Sequence, residues 1–162
     1  MPDVRILFVC HGNICRSPMA EFVMRDLLAQ NGLADRVEVA SAATSTEELH
    51  NPVHPGTRRK LAEAGIRCDG KRAQQLRKSD YQHYDLLIGM DEYNMRNMRR
   101  ILGGDPEQKL LKLLCLCGET ADVSDPWWTG DFDATYRDVL RGCKALLQLL
   151  CEQHGWKMKV NK

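Results

Sequence analysis

From its amino end the chain alternates short apolar runs with longer segments whose apolar side chains recur every three or four residues. Val4-Arg5-Ile6-Leu7-Phe8-Val9 favours β structure and reads as a buried strand. Pro18–Leu28 has helical spacing, and Ser17-Pro18 with Glu21 makes a helix start: an N-cap serine, proline at the first position and an early acid. Asn31-Gly32 ends that helix, and Val37–Ser41 predicts a second strand. Ala42 to Pro55 is loop-like, and a helix over Thr57–Ala64 stops at Gly65. Tyr84–Met90 predicts a third strand, followed by a helix from Asp91 or Glu92 to Leu102 that Gly103-Gly104-Asp105-Pro106 breaks. The run Leu110–Leu116 is ambiguous, and a fourth strand keeps the alternation. A long amphipathic helix opens at Asp131 or Asp133 and runs to about Gln153, with Val139, Cys143, Leu146 and Leu150 along one face.

Strands alternating with helices predict an α/β fold: one domain over residues 1–162, with a parallel sheet covered by helices on both faces. Sites in such sheets gather beyond the carboxyl ends of the strands. The charge is nearly balanced, 23 basic against 22 acidic residues, which gives no support to nucleic-acid binding. No run approaches the ~20 apolar residues of a membrane helix. The first residues lack a signal-peptide layout, so a cytoplasmic protein is expected. Seven cysteines, an odd number with several in apolar segments, argue for reduced thiols.

The chemistry concentrates between the first strand and the first helix, in Cys10-His11-Gly12-Asn13-Ile14-Cys15-Arg16-Ser17. A strand, a tight loop and a helix N-terminus make an anion cradle, because loop amides converge on one point and the helix dipole favours negative charge there. Cys10 ends the strand, where those dipoles and Arg16 favour the nucleophilic thiolate form. Arg16 offers a phosphoryl group two parallel donors. The Ser17 hydroxyl is placed to donate to the sulfur, and Gly12 and Asn13 are types that tolerate positive φ.

A cysteine–phosphate intermediate also needs a group that protonates the leaving oxygen and then activates water. Asp125 in Ser124-Asp125-Pro126-Trp127-Trp128 is the candidate, on a loop leaving the fourth strand at the same rim as Cys10. Pro126 stiffens the backbone after the acid, and Trp127 and Trp128 would wall the cleft. Asp122 is the other acid in reach, without the proline and aromatics.

Cys10–Glu21 and Asp125-Pro126-Trp127-Trp128 resemble the motifs of low-molecular-weight protein-tyrosine phosphatases. Ser41-Ala42-Ala43-Thr44-Ser45 and Met90-Asp91-Glu92 resemble further family segments. The resemblance implies a flavodoxin-like, four-stranded parallel sheet and a two-step phosphomonoester hydrolase that needs no metal or cofactor. By it Cys10 is the nucleophile, Arg16 binds the phosphoryl group, and Asp125 is acid then base. His11, Gly12, Asn13, Ile14, Cys15, Arg16 and Ser17 form the phosphate loop, supported by a network of Asn13, Ser17 and Ser41. Cys15 matches a cysteine that forms a protective disulfide with the nucleophile in many members. The implied partners are a phosphotyrosine protein or peptide and inorganic phosphate as product and inhibitor. The chain is expected to be a monomer or weak dimer.

Three positions depart from the family pattern. Lys71 stands where relatives often have histidine, and donation from it would hold the asparagine region. Glu47 replaces an aromatic at the cleft rim, removing a stacking wall and disfavouring acidic phosphopeptides. Trp127 and Trp128 replace the commoner tyrosines. Competing readings are weaker. A thiol-linked arsenate reductase needs relay cysteines that Leu76–Met90 lacks, and a phosphoarginine phosphatase has threonine where Ile14 stands. Cys10, Cys15, Cys115 and Cys117 fit no common zinc spacing, the last two being expected on one face of a strand. The five histidines form no ligand spacing either, and the His11 side chain is expected to point outward.

Overall fold

The computed structural model describes residues 1–159. Its centre is a parallel sheet in the order β2-β1-β3-β4, made of Val4–Cys10, Val37–Ala43, Leu86–Gly89 and Leu110–Lys112. The helices are α1 (Arg16–Gln30), α2 (Pro55–Glu63), α3 (Asp80–His83), α4 (Glu92–Leu102), α5 (Pro126–Thr129) and α6 (Phe132–His154). Alternation along β1 separates two cores. Ile6, Phe8 and Cys10 pack with Met19 and Val23 of α1 and Val139 and Cys143 of α6. Leu7 and Val9 pack with Met95, Met98 and Leu102 of α4.

Strand order reverses at β1: β2 lies on one side, and the chain then crosses to β3 on the other. The crevice opened by such a reversal lies at the carboxyl end of the strands. There β1 ends in Cys10, β3 runs into Met90 and Asp91, and β4 ends in Lys112.

Local chemistry sets the element ends. Asp91 caps α4 by accepting from Asn94 N at 2.7 Å, while Asn94 Oδ1 accepts from Asp91 N at 3.2 Å. Gly103, with φ of 79°, closes that helix in the left-handed conformation. Asp131 caps α6 through Ala134 N. No helix among the described residues is long and apolar enough to cross a membrane.

Several sequence expectations are corrected. Ser17 is not the N-cap of α1. That position is Cys15, with no side-chain cap, because the Ser17 hydroxyl is engaged by the Cys10 sulfur and by Asn13. The fourth strand ends at Lys112, and Leu113–Cys117 coils into a 3₁₀ helix that Gly118 closes at φ 76°. An unbroken apolar run carries no period to separate the two forms. Coiling there seats Leu113 against α6 at Gly142, and it takes Cys115 and Cys117 off any strand face. The third strand is shorter than Tyr84–Met90, and α3 and α5 are single-turn helices that periodicity could not reveal.

Candidate active site

The loop from Cys10 to Arg16 is shaped from outside. Its carbonyls are drawn away from the crevice: Cys10 O accepts from Thr44 N (2.9 Å), His11 O from Ser45 N (3.0 Å) and Ser45 Oγ (2.9 Å), and Ile14 O from His54 N (2.9 Å). Cys15 O accepts from Met19 N (3.2 Å) and Thr57 Oγ1 (3.4 Å). In a planar trans peptide the N–H points opposite to the C=O. The amides of His11, Gly12, Cys15 and Arg16 therefore turn inward and make a cup suited to an anion.

Asn13 is the residue at which the loop takes positive φ, 60°. Gly12 does not, contrary to expectation. A Cβ there would come within 3.3 Å of Glu48 Cγ, a tight contact with a side chain. The Asn13 side chain holds its own strained position: Nδ2 donates to Ser17 Oγ (2.8 Å) and Ser41 Oγ (2.9 Å), and Oδ1 accepts from Gln74 N (3.1 Å).

The Cys10 sulfur lies at the base of the cup, only 3 % exposed. Asn13 N (3.3 Å) and Ser17 N (3.4 Å) donate to it, and Ser17 Oγ lies 3.0 Å away. The hydroxyl accepts from Asn13 Nδ2, so its own proton is free to point at the sulfur. Behind this contact, Ser41 Oγ donates to Glu21 Oε1 (2.6 Å), a carboxylate buried between Arg25 (2.6 Å) and Lys71 (3.2 Å). Lys71 also donates to Ser41 O at 3.0 Å. It thus reaches the network through Ser41 and Glu21, and the asparagine itself is held by Gln74.

Arg16, also 3 % exposed, is fixed by acceptors from two other elements. Its Nη1 donates to Asp91 Oδ2 (2.7 Å) and Val123 O (2.9 Å), and Nη2 lies 3.5 Å from Asp125 Oδ2. Burial opposes the guanidinium charge, but Cys10, Asp91 and Asp125 outweigh it and raise the pKa above the ordinary arginine value. Asp91 joins the site through this contact with Arg16, 75 residues away along the chain. Glu21, Gln74 and His54 escaped the sequence reading.

Asp125 is the N-cap of α5, accepting from Trp127 N at 3.1 Å, which leaves its second oxygen toward Arg16. One cleft is lined by Cys10, His11, Gly12, Ile14, Cys15, Arg16, Glu47, Glu48, Asp125, Trp127 and Trp128. At its mouth Trp128 is 83 % exposed. Trp127 meets the His54 ring edge-on at 5.8 Å, and His54 stacks on Phe132 at 5.3 Å. Glu47 Oε2 accepts a 2.7 Å hydrogen bond from Nε2 of the His11 ring, and the Tyr93 ring lies 6.2 Å from that imidazole. Asp122 does not line this cleft. Its carboxylate is held by Lys112 instead. Burial, then the charges of Cys10 and Asp125, push the Cys15 thiol up to about 12. No group of three or more His, Cys, Asp or Glu among the described residues is arranged to hold a metal ion.

Residues 5–155 match the family model described as low molecular weight phosphotyrosine protein phosphatase. The chain is 38 % identical over 146 residues to low molecular weight protein-tyrosine-phosphatase YfkJ of Bacillus subtilis, covering 89 % of this chain and 94 % of that one. The crystal structure of YfkJ superposes with a TM-score of 0.90 at 37 % identity, covering 93 % of this chain and 96 % of the other. A Drosophila arginine phosphatase has the same fold, with a TM-score of 0.80 at 27 % identity over 90 % of this chain and 96 % of its own. A match across almost the whole length, by sequence and by structure, leaves one conclusion: the chain belongs to the low-molecular-weight phosphotyrosine protein phosphatase family.

Proposed function

We propose that this protein, as one phosphatase domain, hydrolyses phosphotyrosine in proteins through a phosphate ester of Cys10. The observation that carries the reading is the convergence on one sulfur of two amides and the Ser17 hydroxyl, in a cleft that also holds Arg16 and Asp125.

The phosphoryl dianion enters the cup of inward amides, and the Arg16 fork stabilises its equatorial oxygens as charge spreads in the transition state. The Cys10 thiolate attacks phosphorus in line. The S–P bond forms as the bond from phosphorus to the tyrosyl oxygen breaks, and protonated Asp125 gives that oxygen its proton. In the second step Asp125 takes a proton from water, whose oxygen attacks phosphorus. The S–P bond breaks, inorganic phosphate leaves, and the Ser17 hydroxyl stabilises the departing thiolate. Phosphate, being the product, also binds the cup as an inhibitor.

Burial of the sulfur beneath Trp127 and Trp128 supports a phosphate carried on a long aromatic side chain. Ile14 presents an apolar side chain to the same cleft, which favours tyrosine over guanidine as the leaving group. Glu47 and Glu48 at the mouth favour substrates with basic residues beside the phosphotyrosine. Unpaired thiols, all seven cysteines being free, suit a cytoplasmic enzyme. A panel of phosphotyrosine, phosphoserine and phosphoarginine peptides with acidic or basic flanks tests the reading. Wild type should release phosphate from the basic phosphotyrosine peptides fastest, and Cys10→Ser from none. Turnover by Cys10→Ser, or equal rates on all three phosphoryl groups, would overturn it.

A further inference from the structure

Beyond the cleft, the most heavily engaged buried cation is Lys112, the last residue of β4. It is 5 % exposed, and its ammonium meets Thr120 O at 2.7 Å, Asp122 Oδ1 at 2.8 Å and Glu92 Oε2 at 2.9 Å. A lysine has three N–H donors, so this set accounts for all of them. Two acceptors belong to the irregular segment between the 3₁₀ helix and α5, and the third is in the first turn of α4. Asp122 Oδ1 also accepts from Glu92 N at 3.2 Å, so its carboxylate sits across the α4 N-terminus. The next residue is held as well: Val123 N donates to Met90 O at 2.9 Å, and Val123 O accepts from Arg16. Two residues further on is Asp125.

We infer that Lys112 is a positioning residue for the proton-transferring carboxyl group, acting by fixing residues 120–122 to the ends of β4 and α4. The segment has no sheet or helix ladder of its own, so its path toward Asp125 is set by these contacts together with the Thr135 hydroxyl, which donates to Ser124 O at 3.0 Å. Burial lowers the Lys112 pKa, but its bonds to Asp122 and Glu92 overcome that and raise it, so the tie stays charged wherever the enzyme works. Lys112 touches neither Cys10 nor the lining of the cleft. Val123, which holds Arg16, keeps its own tie to Met90 O, so loss of Lys112 should impair proton transfer while leaving phosphate binding in place.

The inference rests on the role proposed for Asp125, and the experiment separates the two. Values of kcat/KM are measured for an activated nitrophenyl ester and for phosphotyrosine, in wild type, Asp125→Asn, Lys112→Met and the double variant. Lys112→Met should lose about tenfold on phosphotyrosine and less than about twofold on the nitrophenyl ester, whose leaving group needs no proton. Inhibition by inorganic phosphate should be unchanged, and Lys112→Arg should restore much of the loss. In the Asp125→Asn background Lys112→Met should add nothing. If Lys112→Met does not fold, Asp122→Asn replaces it with the same expectation. Equal loss on both esters, weaker phosphate inhibition, or a full additive loss in the double variant would overturn the inference. No leaving-group dependence in Asp125→Asn alone would instead overturn the role of Asp125.

Discussion

Two cysteines five residues apart sit in unlike surroundings. Cys10 receives donors from three directions, whereas Cys15 is desolvated and faces the negative charges of Cys10 and Asp125, so its thiol is pushed up to about 12. Cys15 is therefore a protonated bystander in the resting enzyme. Oxidation of Cys10 to a sulfenic acid removes its charge and one cause of that shift, so the Cys15 thiolate becomes easier to form. We propose that Cys15 then displaces water from sulfur to give a Cys10–Cys15 disulfide. After a prolonged peroxide challenge, enough to carry an unprotected sulfenic acid on to sulfinic acid, and then a dithiol reductant, wild type should regain most of its activity and Cys15→Ser little; equal recovery in both would exclude the role. The loop stood out because one short segment places a cysteine, an arginine and turn residues between a strand and a helix. Asp91 and Lys112 did not, because their meaning lies in contacts with residues far along the chain, Arg16 with Asp91 and Lys112 with Asp122 and Glu92.

At the scale of elements, helix and strand placement followed from period and punctuation, as at α4 with its Asp91 cap and Gly103 stop. Leu110–Leu116 misled because seven residues with one polar position fit either form, and the deciding contact is tertiary. A Cβ on Gly142 would lie 2.4 Å from Leu113 Cγ, so α6 approaches the 3₁₀ helix only because that residue is glycine. Gly142→Ala should cost about 1–3 kcal/mol through overpacking, despite the better helix propensity of alanine. Thermal unfolding reads the change, and a gain in stability would show that the two elements yield to each other freely. The same packing explains why the strand cannot continue: Leu113 is fully buried where the chain must turn toward α6.

For the whole molecule, the α/β class and the parallel sheet were legible, since alternating strands and helices leave few topologies, whereas the order β2-β1-β3-β4 was not. What escaped was Glu21, the buried carboxylate that ties Ser41 of β2 and Lys71 of the segment before α3 to α1 beneath the loop. Burial also gives the molecule an alkaline limit. The thiols of Cys15 and Cys143 and the phenol of Tyr84 are raised mainly by desolvation, to about 12 for Cys15 and Tyr84. The folded state then keeps protons that the unfolded chain releases from about pH 9 upward. Stability from these groups is complete below that pH and is lost as pH rises toward 12, by up to roughly 1.4 kcal/mol per pH unit for each thiol. Unfolding midpoints measured from pH 8 to 11 should fall steadily, and a flat profile would contradict the burial of these groups.

The central claim is that phosphate passes through the sulfur of Cys10. Acid quenching of the enzyme during turnover of a phosphotyrosine peptide, followed by mapping of the phosphorylated peptide, tests it directly. The account predicts a thiol-linked phosphate on the peptide containing Cys10, and more of it when a variant lacking the Asp125 carboxylate turns over the nitrophenyl ester, whose departure needs no proton while hydrolysis of the intermediate is slowed. Phosphate on another residue, or turnover with no phosphoenzyme under any quench, would contradict it.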